Sequence, residues 1–304
     1  MKTERKRRLR RCQLSVPGSD DRKMVKAIAS EADFVFLDLE DAVAPSAKVK
    51  ARDQVIAALH AGGWGRKTRA IRINDLRTEW AFEDIVRVVE AAHDVLDVII
   101  IPKVLGAEDV RWVATLLAQI ERKLKVPPRI GLEALIEEVE AMIEVEAIAQ
   151  SSPRLEALIF GMGDYSGSQG VKVRSIGGDV SYPGDIWYYQ RSKVVIAARA
   201  ARIDAIDGPY GNFKDVDGFR EECRRAMVLG CVGKWAIHPS QIEIAQTMFS
   251  PRPEEVAYAR RVVEGYAEAL ARGEGAVTID GRMVDAASLR IHQRVLDMAA
   301  LIDG

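Results

Sequence analysis

Phe34-Val35-Phe36-Leu37-Asp38-Leu39-Glu40-Asp41 sets four consecutive apolar residues directly against three carboxylates within four positions. A strand with one face in water alternates apolar and polar residues, whereas a parallel strand covered on both faces carries a continuous apolar run. Val98-Ile99-Ile100-Ile101, leading through Pro102 to Lys103, repeats the pattern. Both read as buried parallel strands whose carboxyl ends break into charge.

Comparable short runs occupy residues 13–17, 70–74, 130–136, 157–161, 203–207 and 234–238. Between them lie segments with apolar spacing near 3.6, at 79–92, 107–124 and 218–229. Eight strand-then-helix units in about 240 residues predict an α/β chain folded as one (β/α)8 TIM barrel. The competing doubly wound sheet lacks support, because no Gly-x-Gly-x-x-Gly follows the first strand. Barrel chemistry gathers where strands end. The expected ends carry Pro17-Gly18, then Asp38, Glu40 and Asp41, then Arg72 and Asn74, Lys103, Glu137, Asp164, Asp207 and His238. This sorting predicts one active-site rim.

Composition narrows the function. With Lys+Arg 44 against Asp+Glu 45, the net charge of -1 argues against a dedicated nucleic-acid binder. No apolar run approaches the roughly 18 residues of a membrane helix. Cys12, Cys223 and Cys231 form an odd set without Cys-x-x-Cys pairing. A disulfide framework or thiolate zinc site is therefore not expected, and the set suits a reducing cytoplasm. The histidines show no metal-ligand spacing, so a divalent ion would be held by oxygen. Residues 1–11, MKTERKRRLRR, read as a solvated basic arm, with contact to RNA or phosphate as the alternative. Residues 1–249 form the expected barrel, and residues 250–304 a helical C-terminal extension that packs on a neighbour or serves as a lid.

Glu137 and Asp164 stand at the ends of successive strands, and two carboxylates with several waters is how a site holds Mg²⁺. Taken singly, Glu137 also reads as part of an acidic helix start and Asp164 as a helix cap. Asp38, Glu40 and Asp41 are expected behind the ion's direct ligands, or as caps for a helix beginning near Ser46. Arg72 offers a fixed fork of donors to a carboxylate or enolate oxygen, or an ion pair to the acidic triplet. The glycine-rich segment 161–167 would let the N–H groups of Gly163 and Asp164 grip a substrate carboxylate. His238 either shapes the pocket or is satisfied in the core.

Several segments then occur in order: Val16-Pro17-Gly18-Ser19, FLDLEDAVAPSAKVKAR (36–52), IRIN (71–74), IPKV (101–104), ALIE (134–137), FGMGDY (160–165), GKWAIHPSQI (233–242) and DGRMVDAA (280–287). Together they resemble the citrate lyase beta-subunit-like (HpcH/HpaI aldolase) family, nearest its malyl-CoA lyase branch. The resemblance implies a Mg²⁺-dependent barrel, usually a trimer or hexamer. Such an enzyme cleaves malyl-CoA, or a methylated analogue, to an acyl-CoA and glyoxylate by reversible Claisen chemistry. By position it implies Glu137 and Asp164 as metal ligands and Arg72 as the substrate-binding arginine. Asp285 becomes the catalytic acid/base, delivered to a neighbouring subunit. Ser15, Lys26, Gly163, Ile237 and His238 fall where substrate or CoA contacts are expected. The chain departs from the family pattern at Glu138 and Ala141, where threonine and glycine are common. It departs also at Ser15, often aromatic, and over residues 177–187, which are short. Citramalyl-CoA cleavage, malyl-CoA thioester hydrolysis, malate synthesis and a non-catalytic CoA- or carboxylate-binding regulator stand as alternatives.

Overall fold

The computed structural model describes residues 6–172 and 184–304, so most of the short 177–187 segment lies outside the described residues. Contacts divide the described residues into two compact units, one of Lys6 and residues 10–247, the other of residues 7–9 and 248–304.

In the first unit eight parallel strands close into a barrel in the order β1 to β8. They are β1 Cys12–Pro17, β2 Phe34–Asp38, β3 Thr68–Arg72, β4 Val98–Ile101, β5 Gly131–Ile136, β6 Leu155–Phe160, β7 Asp204–Asp207 and β8 Gly233–Ala236. Closure comes from β1 against β8, with Gln13 paired to Trp235. Helices α1 Asp21–Ile28, α2 Lys48–His60, α3 Ala81–Ala92, α4 Ala107–Leu124, α5 Val139–Ile143, α6 Val145–Ala149, α7 Met162–Gln169, α8 Tyr188–Ala200, α9 Val216–Leu229 and α10 Ile242–Met248 follow the strands. Every residue of β2, β4, β5 and β6 is buried, which is why these strands are largely apolar without alternation, their few acids (Asp38, Glu133 and Glu156) being paired with arginines. The barrel interior packs Phe34, Phe36, Val98, Ile100, Leu135, Ile159, Ile206 and Trp235 into one cluster. No helix among the described residues is long and apolar enough to cross a membrane.

The basic N-terminal segment is not a frayed arm at its inner end. Arg10 is buried, and its guanidinium donates to Glu133 at 2.7 Å, Glu156 at 2.6 Å and Asp204 at 3.1 Å. Arg11 pairs with Asp33 at 2.6 Å. The arginines of this stretch therefore satisfy carboxylates near the amino ends of the strands. Asp207 likewise leaves the expected rim. It is fully buried between Arg191, at 2.9 Å, and Lys234, and Arg191 also binds Asp185 and Glu222. Burial raises the Asp207 carboxyl, but the two cations outweigh it and hold the group below the ordinary carboxylate range.

In the second unit, α11 Pro253–Ala271 is followed by a hairpin of β9 Val277–Ile279 and β10 Arg282–Val284, then by α12 Ala286–Asp303. Val262, Tyr266 and Val284 form its small core, with Tyr258, Val277, Ile279 and Leu289 packed against it. A glycine at φ +75°, Gly281, makes the tight hairpin turn beside Asp280.

Candidate active site

The mouth is built from strand ends. Asp38 is the last residue of β2 and Arg72 the last of β3, and register places them side by side. Arg72 donates through Nε to Asp38 Oδ1 at 2.8 Å and through Nη2 to Oδ2 at 2.6 Å. Its Nη1 lies 2.7 Å from Glu40 Oε2, off the line of a good hydrogen bond. The guanidinium also sits 5.6 Å from the ring centre of Trp235. The ion pair with the acidic triplet is thus made, and it fixes the plane of the fork. Burial opposes charge on Asp38, yet Arg72 and the N–H groups of Glu40 and Ala42 outweigh it and lower its pKa.

The triplet does not cap the following helix. A 3-10 turn at Pro45–Ala47 precedes α2, and neither has a side-chain cap. Asp38 instead accepts from Glu40 N and Ala42 N, closing the turn after β2. Lys48 reaches back to the carbonyls of Leu39 and Glu40 and to Asn74 Oδ1.

Glu137 follows β5 directly and is buried, not part of a solvated helix start. Its Oε1 accepts from the backbone N–H of Lys103 at 2.8 Å. Its Oε2 would lie 2.7 Å from a Cβ at Gly161, so any side chain there would displace the carboxylate. That is the physical use of the first glycine in FGMGD. Burial pushes the Glu137 carboxyl well above the ordinary range, and Glu40 and Asp164 add to the push against the relief from Arg72. Asp164 stands in the first turn of α7, which carries no side-chain cap, and its Oδ2 lies 3.5 Å from Lys103 Nζ.

Lys103, after β4, therefore touches both carboxylates, and its ammonium also binds Glu40 and Asp41, the latter at 3.1 Å. Its backbone is left-handed at φ +47°, a conformation costing a non-glycine residue about 1–3 kcal/mol. Arg77 donates to its carbonyl and helps to hold it there. Sequence reasoning set Lys103 on the rim without a role; its proximity to Glu40 spans 63 positions and leaves no local signal.

Other expected residues are more dispersed. Ser15 is half-buried in β1, level with Phe36 of β2. Lys26 is exposed in the last turn of α1. Gly163 opens α7 with its N–H free of the helix ladder, as first-turn groups are. Ile237 is exposed and donates its N–H to Gln241 Oε1 at 2.8 Å, while His238 accepts from Ser240 N and stacks on Phe213 at 4.5 Å. Glu138 occupies the N-cap position of α5 without making a cap, and Ala141 is fully buried. In the second unit Asp285 is the N-cap of α12, accepting from Ala287 N at 3.0 Å and Ser288 N at 2.9 Å. Those bonds, that from Ser288 N foremost, lower its pKa.

The donor set suits a hard dication. Among the described residues Asp38, Glu40, Asp41, Glu137 and Asp164 share Arg72, Lys103 and Lys48, and with all five ionised the carboxylates outnumber these cations by two. Among the described residues no three His, Cys, Asp or Glu side chains form a complete cage. Mg²⁺ asks for none, since it keeps waters or substrate oxygens beside one or two carboxylates.

A closed parallel barrel with acids massed at its carboxyl mouth has the build of a (β/α)8 enzyme. The chain belongs to the HpcH/HpaI aldolase/citrate lyase family, whose model matches residues 11–239. It is 41% identical over 302 residues to the L-malyl-CoA/beta-methylmalyl-CoA lyase of Cereibacter sphaeroides, covering 96% of this chain and 95% of that one. It is 36% identical to the (3S)-malyl-CoA thioesterase of the same species, over 90% of this chain and 88% of that protein. Among solved structures it resembles CitE of Mycobacterium tuberculosis in complex with magnesium, acetoacetate and coenzyme A. The TM-score is 0.75 and the identity 27%, over 95% of this chain and 97% of that one.

Proposed function

We propose that this chain is a Mg²⁺-dependent carbon–carbon lyase that cleaves malyl-CoA, or a methylated analogue, reversibly to an acyl-CoA and glyoxylate. The carrying observation is likeness to a named malyl-CoA lyase at 41% identity over 96% of the chain. The acid-rich mouth supports it, with Glu137 and Asp164 meeting at Lys103.

Glu137 and Asp164 are the residues that would hold the ion. Bound there, magnesium supplies Lewis acidity to the hydroxyl and carbonyl oxygens of the substrate. Arg72 keeps part of its five N–H donors after meeting Asp38 and Glu40, and these stabilise the thioester enolate oxygen that develops as the bond breaks. Its pairing with Asp38 aims it before substrate arrives. The N–H groups of Gly163 and Asp164 take the oxo-acid carboxylate, and Ser15, Lys26, Ile237 and His238 serve the CoA side.

Asp285 gives a proton to the enolate carbon during cleavage and removes it during condensation. Its cap hydrogen bonds hold its pKa low, which suits neither direction. Enclosure in a drier site raises it. We assign that enclosure to a neighbouring copy in a homotrimer or hexamer, with the second unit as the lid.

Incubation of the purified chain with acetyl-CoA, glyoxylate and Mg²⁺ should yield malyl-CoA, and a chelator should abolish it. The thioesterase relative gives one competing outcome: release of free CoA and malate from malyl-CoA without acetyl-CoA would replace the lyase reading with hydrolysis.

A further inference from the structure

We infer that Lys103 is a positioning residue for the dication, an ammonium built into the mouth that holds the carboxylates together and competes with the ion for them. The inference rests on the magnesium reading above and deepens it.

Lys103 makes contacts of two kinds. Through its backbone N–H it fixes Oε1 of Glu137 at 2.8 Å, and Oε2 lies on the side of Gly161. Through Nζ it spans Glu40, Asp41 at 3.1 Å and Asp164 at 3.5 Å. A left-handed turn at φ +47° asks for glycine, not for a long cationic side chain. The lysine at this position is accounted for by its ammonium, which reaches acids from the ends of β2 and the start of α7.

Four mutually repelling carboxylates need a cation to stay converged. In the ion's absence the ammonium supplies one charge and keeps Asp164 turned inward. When a dication enters, the same ammonium is a like charge a few ångströms away and must yield Asp164. Lys103 thus holds the mouth ready while weakening the ion's grip. It also stays bound to Glu40 and Asp41 when Asp164 is released, so it need not leave the mouth.

This assigns an unusual sign to its removal. Titration of the full-length chain with MgCl2 by calorimetry should show Lys103→Met and Lys103→Gln binding about tenfold tighter than wild type. Lys103→Arg, which keeps the charge, should stay within roughly threefold of wild type. Without the ion, the neutral variants should melt below wild type and recover more on adding Mg²⁺. A residue that only supports the loop would weaken the ion's binding when replaced. Equal or weaker Mg²⁺ binding by a folded neutral variant therefore overturns the inference. If Lys103→Met does not fold, the Lys103→Gln titration decides. A wild-type chain that binds no Mg²⁺ sinks the magnesium reading with it, whereas wild-type binding beside an unchanged variant sinks this inference alone.

Discussion

Asp285 illustrates how one side chain serves two masters. Its carboxylate caps α12 through Ala287 and Ser288, and the proposed reaction asks the same group to move a proton at carbon. Asparagine caps as well as aspartate but cannot act as a base. Asp285→Asn should therefore lower kcat by roughly 10²–10⁴, the usual share of a general acid–base group. Melting temperature and Mg²⁺ affinity should both stay at wild-type values. Equal loss of turnover and of magnesium binding, measured side by side, would show damage to the fold instead.

At the scale of elements, ion pairs tie strand to strand where sequence offers no clue. Arg10 precedes β1 and binds Glu133 and Glu156, on β5 and β6, at separations of 123 and 146 residues. Gln13 extends the set by donating to Glu133 while accepting from Trp235 Nε1 at 2.7 Å. Removing the arginine takes away the buried cation that these carboxylates share. Arg10→Met should cost about 3–5 kcal/mol in urea unfolding, the penalty of breaking a buried ion pair from one side. Asp207 ties β7 to α8 and β8 in the same manner. Its folded pKa lies below the unfolded value, so its stabilisation is complete above the ordinary carboxylate range and fades as pH falls through the folded value. The urea midpoint should drop from about pH 5 downward. Asp207→Asn should be less stable at neutral pH and show a flatter acid limb.

For the whole molecule, the central expectation is that one site draws on two copies. Glu137→Gln and Asp285→Asn should each be inactive alone. If the second unit completes a neighbour's mouth, dissociating and reassembling the two in equal amounts should restore roughly a quarter of wild-type activity, since mixed closed oligomers regain some intact sites. Sites completed within one chain would stay silent in the mixture. The two-unit division also explains why the barrel is easier to foresee than the proposed site. The barrel is made by sequential strand–helix units of one segment, whereas Asp285 lies on a separate unit.

The apolar runs at 34–37 and 98–101 announced buried parallel strands because burial on both faces leaves nothing polar to alternate. Strand ends near the expected positions followed, and with them the acids and bases that border the mouth. Tertiary structure alone decided which charges answer one another. Asp38 met Arg72, the Lys103 ammonium met three carboxylates from two other strand ends, Asp207 withdrew into the wall, and Arg10 turned inward at the opposite end. Helical hydrogen bonding and apolar periodicity act between near neighbours and are written locally. A charge is satisfied by whichever partner closure brings within a few ångströms, and closing a barrel joins residues more than a hundred positions apart.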